Sequence, residues 1–263
     1  MKPIYFIGID RGGTNIRFAG LSEDGKVQAV EKTPSCKIEE FPELILKILD
    51  GWNVPRQARA VIATKGFWAN PWKGPFLQEK LHGRLKSVHV VSDMEAAHLA
   101  SFAGEPGVVV LAGTGSVVFG INRAGKKEKE GGLGPLKGDE GSAYWIAKTY
   151  LSATGGKIPA TVKDTAALAK DIIFRAEKGE PLPLSVITLG QLQLAMQAAA
   201  LSDRLALRGQ VRLSWTGSVM NNPFFRKGFL SKLKLLRPAL VFKPMAPTEE
   251  PVVAAAKYAM RKH

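Results

Sequence analysis

Residues 4–18 of the chain read IYFIGIDRGGTNIRF, an apolar run that ends in an acid and a glycine-rich turn and then resumes. The pattern predicts two strands joined by a turn that carries Asp10, Gly12, Gly13 and Thr14. Glycine at a turn lets backbone N–H groups approach an anion closely, because no Cβ stands in the way. Asp10 beside such a turn could hold a hydrated Mg²⁺ that accompanies a phosphate. A plain hairpin with a polar turn would show the same pattern.

Two later segments also end apolar runs in turns of small residues. Residues 108–120 read VVVLAGTGSVVFG, and residues 213–220 read LSWTGSVM. The first glycine turn and the GTGS turn lack the GxxxxGK[ST] spacing of a Walker-type loop, and no helix pattern directly follows their glycines. Anion binding would therefore depend on turn amides, hydroxyl groups and a metal ion. The third segment suggests a surface for a flat nucleobase.

Five segments stand in a fixed order along the chain. They are IGIDRGGTNIRF (7–18), VVSDMEAAHLA (90–100), VVVLAGTGS (108–116), GGLGPLKGDEGSAYWIA (131–147) and WTGSVMNNPFF (215–225). In this order they resemble the sugar-kinase, actin and Hsp70 ATPase superfamily. Within it, the chain is similar to the N-acetylglucosamine kinase and BadF/BadG/BcrA/BcrD ATPase branch. The resemblance extends over nearly the whole chain.

The resemblance implies an α/β fold with two ribonuclease H-like (actin-like ATPase) domains of related βββαβαβα type. It also implies that ATP and substrate lie in a central cleft between the domains. The segment Gly104-Glu105-Pro106-Gly107 is the best linker candidate. We therefore expect an N-terminal domain over residues 1–105 and a C-terminal domain over residues 106–263. The last helix, expected over residues 252–260, is implied to pack back on the first domain.

Asp93 is the candidate catalytic residue. It lies between an apolar strand pattern and a helix pattern. The resemblance implies that its carboxylate accepts the proton of the sugar hydroxyl during phosphoryl transfer. A structural alternative exists, because Ser92 or Asp93 would cap the helix in any fold. The two roles are compatible only if Ser92 is the cap.

The resemblance also implies the ligand contacts. The residues expected to bind the nucleotide are Gly12, Gly13, Thr14, Asn15, Gly113, Thr114, Gly115, Ser116, Gly217 and Ser218. ATP is the expected phosphoryl donor, with Mg²⁺ on Asp10. Asp139 is expected to contact the sugar, beside a wall of Gly132, Leu133 and Gly134. An acidic first turn of the following helix is the alternative for Asp139 and the expected role of Glu140.

The chain departs from the family pattern at several positions near the expected acceptor. Leu133 stands where the family usually has tryptophan, and Lys65 where it usually has a small residue. Arg11 replaces a glycine of the first turn and could place a cation near phosphate. ATP handling is therefore expected to be intact. The acceptor remains open among N-acetylglucosamine, glucosamine and other hexoses.

The formal net charge of +14 invites a nucleic-acid interpretation. However, the sequence has no zinc-finger, basic-zipper or RNA-binding aromatic signature. We interpret the charge as a surface property that attracts anionic nucleotides, and a nucleic-acid partner is not expected. A single cysteine, Cys36, excludes an internal disulfide. No apolar run of spanning length and no signal pattern appear, so we expect a cytoplasmic protein without a membrane partner. A homodimer is left open.

The expected function is an ATP-dependent carbohydrate kinase that phosphorylates a hydroxyl of an amino sugar or hexose. One alternative is an ATPase switch of BadF type that drives a partner protein. Such activators ligate an iron–sulfur cluster between two subunits, and Cys36 could supply only two ligands per dimer. Another alternative is a nucleotide-binding protein without kinase activity.

Hydrophobic periodicity and turn residues predict the main elements. The charged run at residues 126–130 is interpreted as a solvated turn. The predicted strands are residues 4–9, 15–21, 26–32, 58–63 and 88–91. The predicted helices are residues 41–49, 94–103, 142–151, 165–178, 188–207 and 252–260.

Overall fold

The computed structural model describes residues 2–135 and 137–261. The chain divides into unit 1, which is Met1–Ala103 with Thr248–His263, and unit 2, which is Gly104–Pro247. The division lies just before the boundary expected at residue 105. The C-terminal segment belongs to unit 1, because its helix packs on the strands of that unit.

Each unit contains one sheet and several helices. Unit 1 contains β1 (Phe6–Arg11), β2 (Asn15–Leu21), β3 (Val27–Pro34), α1 (Phe41–Gly51), β4 (Arg59–Thr64), α2 (Lys73–Lys80), β5 (Ser87–Ser92) and α3 (Asp93–Phe102). Unit 2 contains β6 (Gly107–Ala112), β7 (Ser116–Ile121), β8 (Lys127–Gly131), α4 (Ala143–Thr154), α5 (Val162–Ala167), α6 (Ala169–Glu177), α7 (Pro181–Arg204), β9 (Gln210–Thr216), α8 (Ser218–Asn221), α9 (Pro223–Leu236) and β10 (Val241–Pro244). The last helix, α10 (Pro251–Arg261), returns to unit 1.

The sheet of unit 1 has the strand order β3-β2-β1-β4-β5. Strands β1, β2 and β3 are antiparallel neighbours, whereas β4 and β5 run parallel to β1. One face packs on α1 and α2, around Ile7, Ile9 and Phe41. The other face packs on α3 and α10 through small residues such as Ala63 and Ala255. Because β1, β4 and β5 are parallel, their carboxyl ends lie at one edge of the sheet.

Helix α10 lies unusually close to β1. Gly8 permits this approach, because a Cβ at that position would collide with the Val252 carbonyl and would lie 2.6 Å from the Ala256 nitrogen. Both contacts are backbone atoms, which cannot move aside as a flexible side chain can. The close packing buries Val252 and Ala256 against the sheet. Gly8 therefore lets the two ends of the sequence form one unit.

The sheet of unit 2 has the order β10-β9-β6-β7-β8. Strands β6, β7 and β8 are antiparallel, and β9 and β10 run parallel to β6. This is the arrangement of unit 1, with β6 in the place of β1. The core around Val108, Val110 and Phe225 is larger, because four helices, α4–α7, lie between β8 and β9.

Helix α7 has the length and composition of a membrane-spanning helix, the one such helix in the described part of the chain. Half of its apolar window is buried inside the structure. It packs on α6 and α9, and its buried face includes Ile187, Leu194 and Ala198. The long apolar run is accounted for by the core of unit 2.

Several predicted elements need correction. The charged run expected to be a turn is strand β8, where charged side chains on an edge strand discourage pairing with another chain. The predicted helix 165–178 is two helices, α5 and α6. Pro181 begins α7, at a position where a missing N–H is harmless. Helices α2 and α9 and strand β10 were not predicted. Helix α2 and strand β10 have few buried residues, whereas α9 buries Phe225, Phe229 and Leu233 at a helical spacing that the prediction overlooked.

We expect Gly8→Ala to destabilise the protein by about 2–3 kcal/mol, because the added methyl group must push α10 away from β1. Gly51→Ala is a matched control, since nothing lies within 4 Å of a Cβ at that helical position. The control should be neutral or slightly stabilising. Urea unfolding of both variants measures the difference. Equal stability of the two variants would contradict the proposed close packing.

Candidate active site

The edge of the unit 1 sheet brings two carboxylates together. In the parallel ladders Asp10 is paired with Ala63, and Thr64 is paired with Ser92. Asp10 therefore lies near the end of β1 while Asp93 directly follows the end of β5. The two carboxylates are close enough for the charge of Asp93 to raise the pKa of Asp10. This edge is where ligands bind in open α/β sheets.

Ser92 is the N-cap of α3. Its hydroxyl accepts a hydrogen bond from the Glu95 amide at 3.1 Å, and Glu95 Oε2 accepts one from the Ser92 amide at 2.9 Å. This reciprocal pair is a capping box, which satisfies two amides at the helix start. Asp93 is the first helical residue and is not the cap. Because Ser92 is the cap, the Asp93 carboxylate is not needed for capping, which is the condition set above for a catalytic role.

Burial raises the pKa of the Asp93 carboxyl, because removal of water disfavours the charged form. A hydrogen bond from the Met94 amide to Oδ1 at 3.1 Å opposes this effect. The positive charges of Lys65 and Lys73 oppose it as well. A carboxylate with a raised pKa is a better proton acceptor than an ordinary aspartate.

Burial also raises the pKa of Asp10, to about 6. The carboxylates of Asp93 and Glu250 add to this increase, and Arg17, with Nη1 at 3.9 Å from Oδ2, opposes it. A bound cation would favour the charged form of Asp10. Within residues 2–135 and 137–261, no three His, Cys, Asp or Glu side chains form a metal cage. Asp10 is a single carboxylate beside a turn with exposed amides. Such a site suits Mg²⁺, which keeps several waters and is often bound by one or two carboxylates together with phosphates.

The first glycine turn is fixed by hydrogen bonds from the segment that follows β3. The Ser35 hydroxyl donates to the Gly12 carbonyl and the Ser35 amide donates to the Thr14 carbonyl, both at 2.9 Å. The Gly12 amide donates to the Asn15 carbonyl at 3.0 Å. Gly13 and Thr14 are exposed, and their amides have no acceptor within the described residues. The turn thus presents two donors to an anion from outside the protein.

Arg11 was expected to place a cation near phosphate. Its Nη2 donates instead to the Cys36 carbonyl at 2.6 Å, and its guanidinium lies 5.5 Å from the centre of the Phe41 ring. These contacts hold Arg11 on the α1 face of the sheet. The side chain anchors the loop that supports the glycine turn.

The GTGS turn of unit 2 is fixed by the start of α4. The Ala143 amide donates to the Gly113 carbonyl at 2.8 Å, and the Tyr144 amide donates to the Thr114 carbonyl at 3.4 Å. The Ser116 side chain is buried, and its hydroxyl donates to the Glu140 carbonyl at 2.8 Å. Thr114 is exposed at the tip of the turn. The Thr114 hydroxyl is therefore available to a ligand, whereas the Ser116 hydroxyl is used within the protein.

Gly217 and Ser218 lie against the GTGS turn. A Cβ on Gly113 would lie 3.7 Å from both the Gly217 Cα and the Ser218 amide nitrogen. Gly217 has φ of +96°, and a Cβ there would collide with the Ala112 carbonyl. Only glycine fits this position. The structure thus brings together the two predicted nucleotide-binding segments of unit 2.

Asp139 is buried and has φ of +58°. Its Oδ1 accepts a hydrogen bond from the Gly134 amide at 3.0 Å, and its Oδ2 would lie 2.5 Å from a Cβ on Gly115. Asp139 thereby holds the loop of the predicted sugar wall against the GTGS turn. Ser142, not Asp139, caps α4 by accepting from the Trp145 amide. The Glu140 carboxylate accepts a hydrogen bond from Gln197. It precedes α4, whose first turn has no acidic residue, so the helix-dipole role expected for Glu140 is wrong.

The other wall residues lie on the same loop. Gly132 is exposed next to Val117, and Leu133 is 64% exposed. Sequence reasoning missed Ser35 and Lys73, which support the first turn and its neighbouring loop. Neither residue stands in a periodic pattern, and only the topology brings them to the site.

These features define a class of two-unit α/β proteins with glycine turns and carboxylates at the strand ends. Residues 7–259 match the model of the BadF/BadG/BcrA/BcrD ATPase family, and the chain belongs to that family. A Chromobacterium violaceum protein proposed to be an N-acetylglucosamine kinase has a similar structure, with a TM-score of 0.72 and 20% identity over 97% of this chain and 99% of that one. A ROK-family glucokinase from Streptomyces griseus, solved with glucose and AMPPNP, has a TM-score of 0.66 and 17% identity over 98% and 99% of the two chains. These likenesses show a shared fold.

Two curated relatives are also similar. The chain is 29% identical over 162 residues to the N-acetylmuramic acid/N-acetylglucosamine kinase of Clostridium acetobutylicum, covering 57% of this chain and 53% of that protein. It is 25% identical over 176 residues to the N-acetyl-D-glucosamine kinase of Dictyostelium discoideum, covering 57% and 54%. The matches span about half the length of each relative.

The capping box yields a stability prediction. We expect Ser92→Ala to lower the free energy of unfolding by about 1–2 kcal/mol, because it leaves helix amides and Glu95 without their partner.

Asp93→Asn should leave the free energy of unfolding at pH 8 unchanged or higher. The raised pKa means that the folded state binds the proton of Asp93 more tightly than the unfolded state does. That contribution is present at low pH and is lost as the pH rises through the raised pKa, so the gain from Asn should be larger at pH 8 than at pH 4.5.

Urea unfolding at the two pH values measures both effects. Asn15→Ala, in the same edge region but outside the cap, serves as a control for nonspecific loss. A loss of stability in Asp93→Asn as large as that in Ser92→Ala would show that Asp93 is a structural residue.

Proposed function

We propose that this chain is an ATP- and Mg²⁺-dependent kinase that transfers the γ-phosphoryl group to a hydroxyl of an amino sugar or hexose. N-acetylglucosamine and glucosamine are the first candidates. The observation that carries the proposal is that Ser92 caps α3, which leaves the partly buried Asp93 carboxylate without a capping role beside Asp10 and the first glycine turn. The names of the two curated kinases and of the ATPase family support the same class.

Asp93 would act as the base. As the acceptor oxygen forms its bond to the γ-phosphorus and the bond from phosphorus to ADP breaks, the hydroxyl proton passes to the Asp93 carboxylate. The hydrogen bond from Met94 holds Oδ1 in a fixed direction. A fixed carboxylate positions the acceptor at little further entropic cost.

Asp10 would hold the metal ion, and the exposed amides of Gly13 and Thr14 would bind phosphate oxygens, with Asn15 closing the turn. When bound, Mg²⁺ would neutralise charge on the phosphates. In unit 2, Thr114 and the turn glycines Gly113 and Gly115 would contact phosphate. Gly217 and Ser218 would contact the adenosine. Asp139 would act mainly by holding the Gly132–Gly134 loop, which would face the sugar.

The alternative of a BadF-type switch depends on a metal cluster held by cysteine. Cys36 is half-buried, and burial raises the pKa of its thiol. A metal ligand needs the thiolate form, which a lowered pKa favours. The environment of Cys36 therefore supports the kinase over the switch.

The test is coupled ADP release with Mg·ATP against glucosamine, N-acetylglucosamine, glucose, N-acetylmuramic acid and no sugar. We expect strong stimulation by one amino sugar or hexose. A basal ATPase that no sugar stimulates would contradict the proposal and would favour the switch.

We expect Asp93→Asn to reduce kcat by at least about a thousandfold, because the amide cannot accept the hydroxyl proton. ATP affinity measured by calorimetry should change little. Because the pKa of Asp93 is raised, the acidic limb of kcat/KM in the wild type should lie above the ordinary aspartate value of 3.8. Equal losses of ATP affinity and turnover would contradict this role.

A further inference from the structure

The loop between β4 and α2 places an ammonium group above the first glycine turn. The Lys65 amide donates to the Arg11 carbonyl at 3.1 Å, which fixes the start of this loop at the carboxyl edge of the sheet. Lys65 Nζ lies 3.9 Å from the position of a Cβ on Gly13. The side chain is exposed, and its ammonium has no hydrogen-bond or ion-pair partner among residues 2–135 and 137–261. The exposed amides of the turn, those of Gly13 and Thr14, lie at the same place.

A second lysine supports the same loop. Lys73, the first residue of α2, is partly buried, and its Nζ donates to the Lys65 carbonyl at 2.9 Å. Burial lowers the pKa of Lys73, and the nearby guanidinium of Arg11 lowers it further, whereas Asp93 opposes this. Lys73 is thus a second cation near Asp93 besides Lys65, and its charged form would be favoured by an additional negative charge.

The neighbouring carboxylates, Asp93 and Asp10, form no hydrogen bond or ion pair with the Lys65 ammonium. Asp93 is near enough to be influenced by Lys65 and Lys73, but its carboxylate accepts a hydrogen bond from the Met94 amide and from neither lysine. Asp10 has Arg17 as its ion-pair partner. An ammonium next to unpaired turn amides can bind an oxyanion by charge-assisted hydrogen bonds, which are stronger than neutral ones.

We propose that Lys65, supported by Lys73 and the amides of Gly13 and Thr14, forms an oxyanion-binding site beside Asp93. The oxyanion belongs to a reacting ligand, either the phosphoryl group in transfer or a carboxylate on the acceptor. The assignment to reacting ligands rests on the proposed kinase function. Lys65 is then a catalytic residue in the first case and a specificity-determining residue in the second.

The first arm of the test does not require kinase activity. Tripolyphosphate is titrated by calorimetry into the wild type, Lys65→Gln, Lys65→Arg and the control Lys80→Gln, whose lysine is exposed at the far end of α2. If the oxyanion is the phosphoryl group, Lys65→Gln should weaken binding about ten- to hundredfold, as expected for loss of a charged hydrogen bond. Lys65→Arg should retain most of the affinity, and Lys80→Gln should match the wild type.

The second arm compares N-acetylglucosamine with N-acetylmuramic acid, which carries a carboxylate on a similar ring. For the phosphoryl case, Lys65→Gln should lower kcat with both acceptors. For the acceptor case, it should raise KM for the acid alone while tripolyphosphate binding is unchanged. Melting temperatures of all variants check folding.

Two results overturn the proposal. The first is a Lys65→Gln variant whose tripolyphosphate affinity and kinetics both equal those of the wild type. Unchanged tripolyphosphate affinity overturns the proposal equally if the wild type turns over no acceptor. The other is a Lys65→Arg variant that loses as much as Lys65→Gln, since that would show a role in loop structure and not in charge. Weakened tripolyphosphate binding in a protein that no sugar stimulates would support the site while refuting the kinase.

Discussion

The free-energy cost of placing two carboxylates at one edge of a sheet shapes unit 1. Burial and neighbouring negative charges raise the pKa of Asp10 from 3.8 to about 6. At neutral pH this corresponds to about 3 kcal/mol against the charged form. Stability alone would favour an apolar residue at this position. In the proposed kinase, a cation bound to Asp10 would offset this cost.

At the same edge, the start of α3 lies directly beside the Asp93 carboxylate. An acid at the first turn of a helix usually satisfies helix amides. Here Ser92 and Glu95 satisfy two of them, so the Asp93 carboxylate keeps most of its hydrogen-bonding capacity for a ligand. The glycine turn is treated similarly, because Ser35 binds its carbonyls and leaves the Gly13 and Thr14 amides open. At both places, the atoms that make hydrogen bonds within the protein differ from the atoms that remain available to a ligand.

The sequence alone predicted the strands of unit 1 well, because alternation and glycine turns are local signals. The resemblance implied the two-unit α/β fold, and the family and fold are confirmed. The assignment of ligand contacts remains a prediction. Strand β8 was misread because its charged residues are typical of turns, and only pairing with β7 makes it a strand. Helix α2 was missed because it has few buried residues. The support given by Ser35 and Lys73 was not predicted. Ser35 reaches the glycine turn because β3 pairs antiparallel with β2, and Lys73 reaches back across a loop to the Lys65 carbonyl. Neither contact has a periodic signal in the sequence.

The repeated sheet order shows how one scaffold supports two kinds of turn chemistry. In both units a glycine turn links the first two strands, and a second segment follows the next parallel strand. In unit 1 Asp10 lies near the end of β1 and Lys65 follows β4, whereas Asp93 follows the outer strand β5. In unit 2 the corresponding strand ends, those of β6 and β9, lead into Gly113 and Gly217, and a Cβ on Gly217 would collide with the Ala112 carbonyl. The start of α4 does not serve as an anion site, because its first amides bind the Gly113 and Thr114 carbonyls. The helix terminus therefore serves to fix the turn, in agreement with the absence of a Walker spacing, and in the proposed kinase phosphate would contact the exposed tip at Thr114.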